Sequence, residues 1–308
     1  VEQLPILIAV MGPTASGKSD LAEAMASELR FPLINADAFQ VYRGLDIGTA
    51  KPTDRHNYHL LDIVDPWEEF GVGEWIRRVS DVLPQLFAEA GGAIVVGGSG
   101  YYIRALFEGY RDLADAPDPR RREELNRQSL EVLVAELQAR DPSAAARVDL
   151  QNRVRVQRAV ERLDLPTLDW SIPDCRKVKL ARLPELERNR TRIFRRVEAM
   201  VELGWLDEIR GLILSGVQRE HPGMRAHGYR AMWDVVHGER SLSEAIEATQ
   251  VEVAQYAKRQ RTWLRAEPNL ITISAEDEGE ALATALDLLW SEDGKIDQPA
   301  RHVLEPGS

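Results

Sequence analysis

Gly12-Pro13-Thr14-Ala15-Ser16-Gly17-Lys18-Ser19 lies between an apolar run, Leu4 to Met11, and a stretch reaching Arg30 in which Leu21, Ala22, Met25, Ala26 and Leu29 recur at helical spacing. Strand, glycine-bounded loop and helix in that order are the setting in which the pattern G-x-x-x-x-G-K-[ST] binds phosphate. Gly12 and Gly17 let the backbone turn so that its N–H groups converge on phosphate oxygens. The helix N-terminus adds partial positive charge, Lys18 adds a full one, and Ser19 is the expected Mg²⁺ ligand. A di- or triphosphate is expected to bind here.

Outward from this loop, short apolar segments alternate with helices. Pro32 to Asp37 reads as a second strand, Glu74 to Ala90 as a helix stopped by Gly91-Gly92, and Ala93 to Val96 as a buried strand running into Gly97-Gly98-Ser99-Gly100. Tyr101 to Leu106 restarts a helix. Such alternation predicts an α/β fold, a parallel sheet covered by helices on both faces. The texture then changes. Asp112 to Pro119 reads as a linker, and Arg120 to about Arg162 is helical with a break at Asp141-Pro142. Val178 to Leu183 is expected to return as a strand. Helices follow over Asn189–Leu203, Leu206–Leu214 and Ser241–Arg265, then a strand over Leu270–Ile273 and a helix near Glu278–Leu289. The expected organisation is a P-loop core made of residues 1–112 and 176–308, interrupted by an all-helical insertion at 113–175.

Composition narrows the function. The 308 residues are 44% apolar and carry a formal charge of −11, an ordinary globular balance and a poor one for coating nucleic acid non-specifically. The basic residues are concentrated between Arg176 and Arg196 and again at Lys258, Arg259, Arg261 and Arg265, whereas Ala266 to Gly294 has neither Lys nor Arg. Either cluster could be a solvated face or a restricted polyanion contact. Cys175 is the only cysteine, which excludes a disulfide framework and a Cys-based zinc site. No apolar run is long enough for a membrane span, and a cytoplasmic location is expected. The chain opens at Val1, and the natural start is expected to have been trimmed or omitted.

Phosphoryl transfer by a P-loop enzyme needs an acidic residue at a strand end. Ala93–Val96 supplies none, and Leu60 to Asp65 reads better as a turn before Pro66. Asp37, at the end of the second strand and on the same sheet edge as the loop, is the candidate base or metal partner.

Asp37 with Gln40-Val41-Tyr42-Arg43-Gly44-Leu45-Asp46-Ile47-Gly48-Thr49-Ala50-Lys51-Pro52 closely resembles the tRNA dimethylallyltransferases, and so do His59 to Asp62, Val95 to Tyr102, Gln157 to Glu161, Gly228 to Trp233 and Gln255 to Arg265. The resemblance spans nearly the whole chain. It implies transfer of a dimethylallyl group from dimethylallyl diphosphate to the exocyclic amine of the adenosine immediately 3′ of the anticodon, by a monomer that meets the tRNA anticodon loop. Pyrophosphate is the leaving group, so a P-loop with Mg²⁺ suits the chemistry and a missing strand-end carboxylate is no defect. Carried over by position, Asp37 falls on the general base and Ser99 on a substrate-channel hydroxyl that is usually threonine. Gly12 and Thr14, Ala15, Ser16, Gly17, Lys18 and Ser19 fall on the diphosphate cradle. Arg192 and Arg196 sit in a helix that lends one arginine to the pyrophosphate. Ala38 (where serine is common), Phe39, Gln40, Lys51, Arg122, Arg153, Arg155, Arg225 and Arg230 fall on segments that meet tRNA. Trp233 and Trp263 are expected to pack in the core rather than stack on bases, and His59 and His227 to be structural hydrogen bonders.

Three alternatives stay open from the residues alone. A small-molecule kinase would use ATP in the same loop, with Arg120-Arg121-Arg122 as a lid. Prenyl transfer to free adenine nucleotides would need neither the insertion nor the basic carboxy-terminal helix. An RNA-binding module with a vestigial loop would have no reason to keep Lys18, Ser19 and Asp37 together.

Overall fold

The protein is described from a computed structural model over residues 4–110, 113, 119–275 and 277–290; most of the expected linker, 112–119, lies outside them. In chain order the elements are β1 (Ile6–Met11), α1 (Lys18–Leu29), β2 (Leu33–Asn35), β3 (Tyr58–His59), α2 (Val72–Ala90), β4 (Gly92–Gly97), α3 (Gly100–Glu108), α4 (Pro119–Arg127), α5 (Leu130–Arg140), α6 (Pro142–Arg147), α7 (Arg153–Leu163), β5 (Arg176–Arg182), α8 (Leu186–Glu202), α9 (Trp205–Leu214), a 3₁₀ turn (Pro222–Arg225), α10 (Tyr229–Val236), α11 (Leu242–Arg265), β6 (Leu270–Ile273) and α12 (Glu278–Trp290).

The strands form one parallel sheet in the order β3-β2-β4-β1-β5-β6. β1 and β4, in its centre, are buried along their whole length, which explains why both read as unbroken apolar runs and not as alternating ones. One face is covered by α2 and α3 through Trp75, Ile76, Val79, Leu83, Ile103 and Leu106, and the other by α1 and α12 through Leu21, Met25, Ala281 and Ala285. This is the P-loop NTPase-like fold, and its parallel strands bring the ends of β1, β2, β4 and β5 to one edge.

Helices α4–α7 bury a separate cluster, Leu125, Leu133, Leu137, Val156 and Val160. The break at Asp141-Pro142 is real: the Asp141 carboxylate accepts the Ala144 N–H and caps α6, with Pro142 at its first position. A third cluster joins α8–α11 to Val41, Tyr42 and Leu45. Two elements in it, α10 and the 3₁₀ turn, are not among those expected from the sequence, and both are short, eight and four residues. Gly228 starts α10 in a left-handed conformation, and a Cβ there would lie 2.4 Å from Trp205. Among the described residues no helix is long and apolar enough to cross a membrane.

Candidate active site

The phosphate loop closes around its own contacts. Gly17 takes φ +81° and Ala15 φ 58°, and a Cβ on Gly12 would strike Ser16 Oγ at 2.4 Å and the Arg182 carbonyl at 2.8 Å. Only glycine permits that approach. Gln260 of α11 clamps the loop from above: its Oε1 accepts the Thr14 N–H at 2.9 Å while its Nε2 donates to the Gly98 carbonyl at 3.0 Å. Asn189 of α8 donates to the Thr14 carbonyl at 3.0 Å. Neither residue was assigned a role from the sequence. Gln260 lies inside one of the resembling stretches, and Asn189, 1% exposed, is a polar residue on the apolar face of a helix; that was the available signal.

Strand β2 ends at Asn35, two residues before Asp37, so Asp37 sits on a turn beyond the strand rather than at its end. The side chain of Asn35 explains the early stop. Its Oδ1 accepts the Asp37 N–H at 2.9 Å and its Nδ2 donates to the carbonyls of Leu60 and Asp37, while Trp75 donates to its own carbonyl. The Asp37 carboxylate accepts the Phe39 N–H at 2.9 Å, and Ser99 Oγ accepts the Ala38 N–H at 3.1 Å. The backbone carrying Asp37 is therefore tied from both sides, which fixes the carboxylate in place.

Two cavities meet at the loop. The first, about 90 Å³, is lined by Asp37, Phe39 and Ser99 on one side and by apolar groups of α8, α9 and α11 on the other: Ile193, Val197, Met200, Trp205 and Val253. The second, about 410 Å³, is polar and is walled by Ala15 to Asp20, Arg182, Arg192, Arg196 and Glu278. Lys18 and Arg196 line both. Among the described residues neither of these cations, nor Arg192, has an ion-pair partner. Burial pulls the Lys18 ammonium from 10.5 down to about 8; Asp37 and Asp20 oppose that shift and Arg196 adds to it. Burial likewise lowers Arg196, against Asp20 and Asp37. The two side chains thus hold charge that burial disfavours and an anion would stabilise. Of the two arginine candidates, Arg196 faces both cavities and Arg192 only the polar one.

Glu208 of α9 shapes the roof. Its carboxylate accepts the N–H groups of Asp46 at 2.8 Å and Ile47 at 2.6 Å and the Tyr229 hydroxyl at 2.6 Å, and burial raises its pKa against those bonds. The loop it holds carries Gly48, Thr49 and Ala50 over the apolar cavity. A Cβ on Gly48 would lie 2.3 Å from the Trp205 ring.

The residues expected to meet tRNA fall into different situations. Phe39 lines the apolar cavity, Arg225 and Arg155 are exposed, and Arg230 is exposed on α10 away from both cavities. Lys51 is turned inward instead. Its side chain has no exposed surface, and its ammonium donates to the Tyr42 carbonyl at 2.6 Å and to Asp46 and Asp62 at 2.8 and 2.5 Å. Gln40 donates to the Thr49 and Ala50 carbonyls, and Arg153 to those of Leu125 and Asn126, so both brace the backbone. Arg122 pairs with Glu69 at 2.9 Å and Glu161 at 3.3 Å, and Arg121 with Glu136 and Asp164, so two of the three arginines a kinase lid would draw on are engaged by carboxylates. Trp233 stacks on His237 at 4.9 Å. Trp263 packs against Gly100 and beneath the Arg104 guanidinium at 4.3 Å, as core packing predicts. His227 Nδ1 meets the Glu252 carboxylate at 2.7 Å.

The IPP transferase family profile matches residues 40–267, and the isopentenyl transferase profile matches residues 5–60. A tRNA dimethylallyltransferase of Stenotrophomonas maltophilia is 36% identical over 93% of this chain and 98% of its own length. One from Syntrophobacter fumaroxidans is 39% identical over 89% and 84%. The crystal structure of the tRNA isopentenylpyrophosphate transferase of Bacillus halodurans superposes with a TM-score of 0.69 at 32% identity, covering 92% of this chain and 96% of that one. A glycine loop under two cations, an apolar cavity beside it and this breadth of similarity lead to one assignment: the chain belongs to the tRNA dimethylallyltransferase family of IPP transferases.

Proposed function

We propose that this enzyme transfers the dimethylallyl group of dimethylallyl diphosphate to the exocyclic amine of the adenosine 3′-adjacent to the anticodon of tRNA, releasing pyrophosphate. The observation that carries the proposal is the shared wall of Lys18 and Arg196 between a polar cavity and an apolar one. A prenyl diphosphate has one end for each. Its reacting C–O bond would lie where the two cavities meet, beside Asp37.

An adenine amine is a weak nucleophile because its lone pair is delocalised into the ring. As the new C–N bond forms, the Asp37 carboxylate would take the amine proton, and as the C–O bond breaks, Lys18, Arg196 and the loop N–H groups would take up charge developing on pyrophosphate. The apolar wall keeps water from an electrophilic carbon that it would otherwise capture. Ser99 would hold the turn after Asp37 through the Ala38 N–H, to which its hydroxyl already binds. Mg²⁺ fits the site: Ser19 and Asp20 are exposed at the start of α1 and offer only oxygen, and a hard cation with few protein ligands completes its shell from phosphate and water. When bound there it would neutralise charge on the leaving group. The ion pairs of Arg121 and Arg122 and a β4 of only Gly, Ala, Ile and Val argue against the kinase alternative. A tRNA substrate also makes the cytoplasm the expected place of reaction.

The test is transfer of labelled dimethylallyl from its diphosphate to unmodified tRNA, with AMP in parallel. Label on tRNA alone is expected. Asp37→Ala should cut turnover by about 10²–10⁴-fold while tRNA affinity stays within about twofold. Full activity in that variant would remove Asp37 from its role, and label on AMP would assign the protein to nucleotide prenylation.

A further inference from the structure

We propose that Arg182, the last residue of β5, is an additional diphosphate-binding group that grips the anion from the strand side, opposite the arginines of α8. This rests on the diphosphate reading above and extends it to a residue outside the loop and helix. The parallel register pairs Met11 with Ala181, so Arg182 emerges beside Gly12, where β1 gives way to the loop. It is 5% exposed, and its side chain runs under the loop. A Cβ on Gly17 would be only 3.1 Å from its Nη1, an approach the bare glycine permits. Its Nη2 donates to the Ala275 carbonyl at 3.1 Å, which sets the orientation of the guanidinium plane. Arg182 lines the polar cavity together with Lys18, Arg192 and Arg196, with Asp20 and Glu278 as the carboxylates among the same lining residues.

A second observation points to a ligand in that cavity. Ser16 Oγ is buried and has no hydrogen-bond partner among the described residues, on the stretch of loop that lines the cavity. A buried hydroxyl without a partner is costly, and a phosphate oxygen lying between Ser16 and the Arg182 guanidinium would supply one. A rigid planar fork suits that role better than an ammonium, because two parallel N–H groups match two phosphate oxygens. In this arrangement the diphosphate is held between two walls, β5 and α8, and not only over the loop.

The experiment is calorimetric binding of inorganic pyrophosphate to the full chain and to Arg182→Gln, Arg182→Lys and Lys18→Ala, with KM for each substrate measured alongside. Arg182→Gln should weaken pyrophosphate at least about tenfold and raise KM for dimethylallyl diphosphate in parallel, leaving KM for tRNA unchanged. Arg182→Lys, which keeps the charge and the strand packing, should lose about threefold. If Arg182→Gln fails to fold, the lysine variant decides by itself: a threefold loss supports the proposal and unchanged binding overturns it. Pyrophosphate binding within twofold of the parent in a folded Arg182→Gln, while Lys18→Ala loses it, overturns the role of Arg182 alone. Unchanged binding in Lys18→Ala would overturn the diphosphate cradle as well.

Discussion

The arginines that face the phosphate loop and those of the insertion helices live under opposite rules. Around the loop, Lys18, Arg192 and Arg196 crowd together, and among the described residues no carboxylate lies within ion-pairing distance of them. In the insertion, Arg121 and Arg140 share Glu136 and Asp164, and Arg122 and Arg158 share the buried Glu161. Hydrogen bonds from Arg140, with help from Arg121, hold the Asp164 carboxyl below its ordinary range. Surface ion pairs of this kind contribute little to stability, but they do occupy the charge. A cluster of like charges with no partner is different: folding it costs free energy, and an anionic ligand recovers that cost. Two sets of arginines that look alike as letters therefore differ in what they are ready to bind.

The largest test of this contrast is Lys18→Ala. Removing a charge aimed at the leaving group should lower kcat for prenyl transfer by about 10²–10³-fold, with tRNA affinity measured by filter binding left within about twofold. The depressed Lys18 pKa gives the same residue a pH signature. Below about 8 the ammonium is charged in the free enzyme and ready for diphosphate; above that value binding must first take up a proton. Pyrophosphate affinity should therefore fall as pH rises through about 8, by up to tenfold per unit, and the fall should vanish in Lys18→Ala. A flat profile in the parent protein would break the assignment.

Next in size is the difference between neighbours on α8. Arg196 lines both cavities and Arg192 only the polar one. Arg196→Ala should cost about 10²-fold in kcat/KM for dimethylallyl diphosphate, and Arg192→Ala about tenfold. Equal losses would mean that the diphosphate lies deeper in the polar cavity than the shared wall.

How much of this is legible in the amino-acid sequence follows the range of the interactions. The P-loop, its flanking strand and helix, and the central strands are written locally, in glycine spacing and unbroken apolar runs. Asp37 can be found because it sits close after a strand and within a long resembling stretch. Gln260 clamping Thr14, Glu208 holding the 46–48 loop and Arg182 running beneath Gly17 all depend on partners more than 160 residues away, and no periodicity encodes them. Lys51 shows a different limit. A lysine in a polar loop reads as a surface charge, yet Asp46 and Asp62 enclose it, because the left-handed turns at Leu60 and Asp62 fold that segment back over the loop. The partners of Arg121 and Arg122 are hidden for a related reason, since Glu136, Asp164, Glu69 and Glu161 reach them from other elements.

The smallest expected effect sharpens the comparison at the boundary between the two regions. Glu69 pairs with Arg122 of α4 at 2.9 Å and with Arg225 of the 3₁₀ turn at 3.2 Å, and Glu69 and Arg122 line a cleft of about 620 Å³ together with Arg147, Arg155, Arg158 and Arg162. If Arg122 and Arg225 meet tRNA phosphates, they must exchange Glu69 for them, and Glu69 weakens binding by competing. Glu69→Gln should then tighten tRNA about two- to fivefold and steepen its salt dependence, because one more cation takes part. Arg225→Ala should weaken tRNA by a similar factor, and in the double variant the gain from Glu69→Gln should shrink, which a double-mutant cycle reads directly. If instead the Glu69 pairs serve only to hold the insertion against the core, Glu69→Gln lowers the melting temperature and leaves tRNA affinity where it was, and the arginines of the two regions then differ in kind and not merely in their present partners.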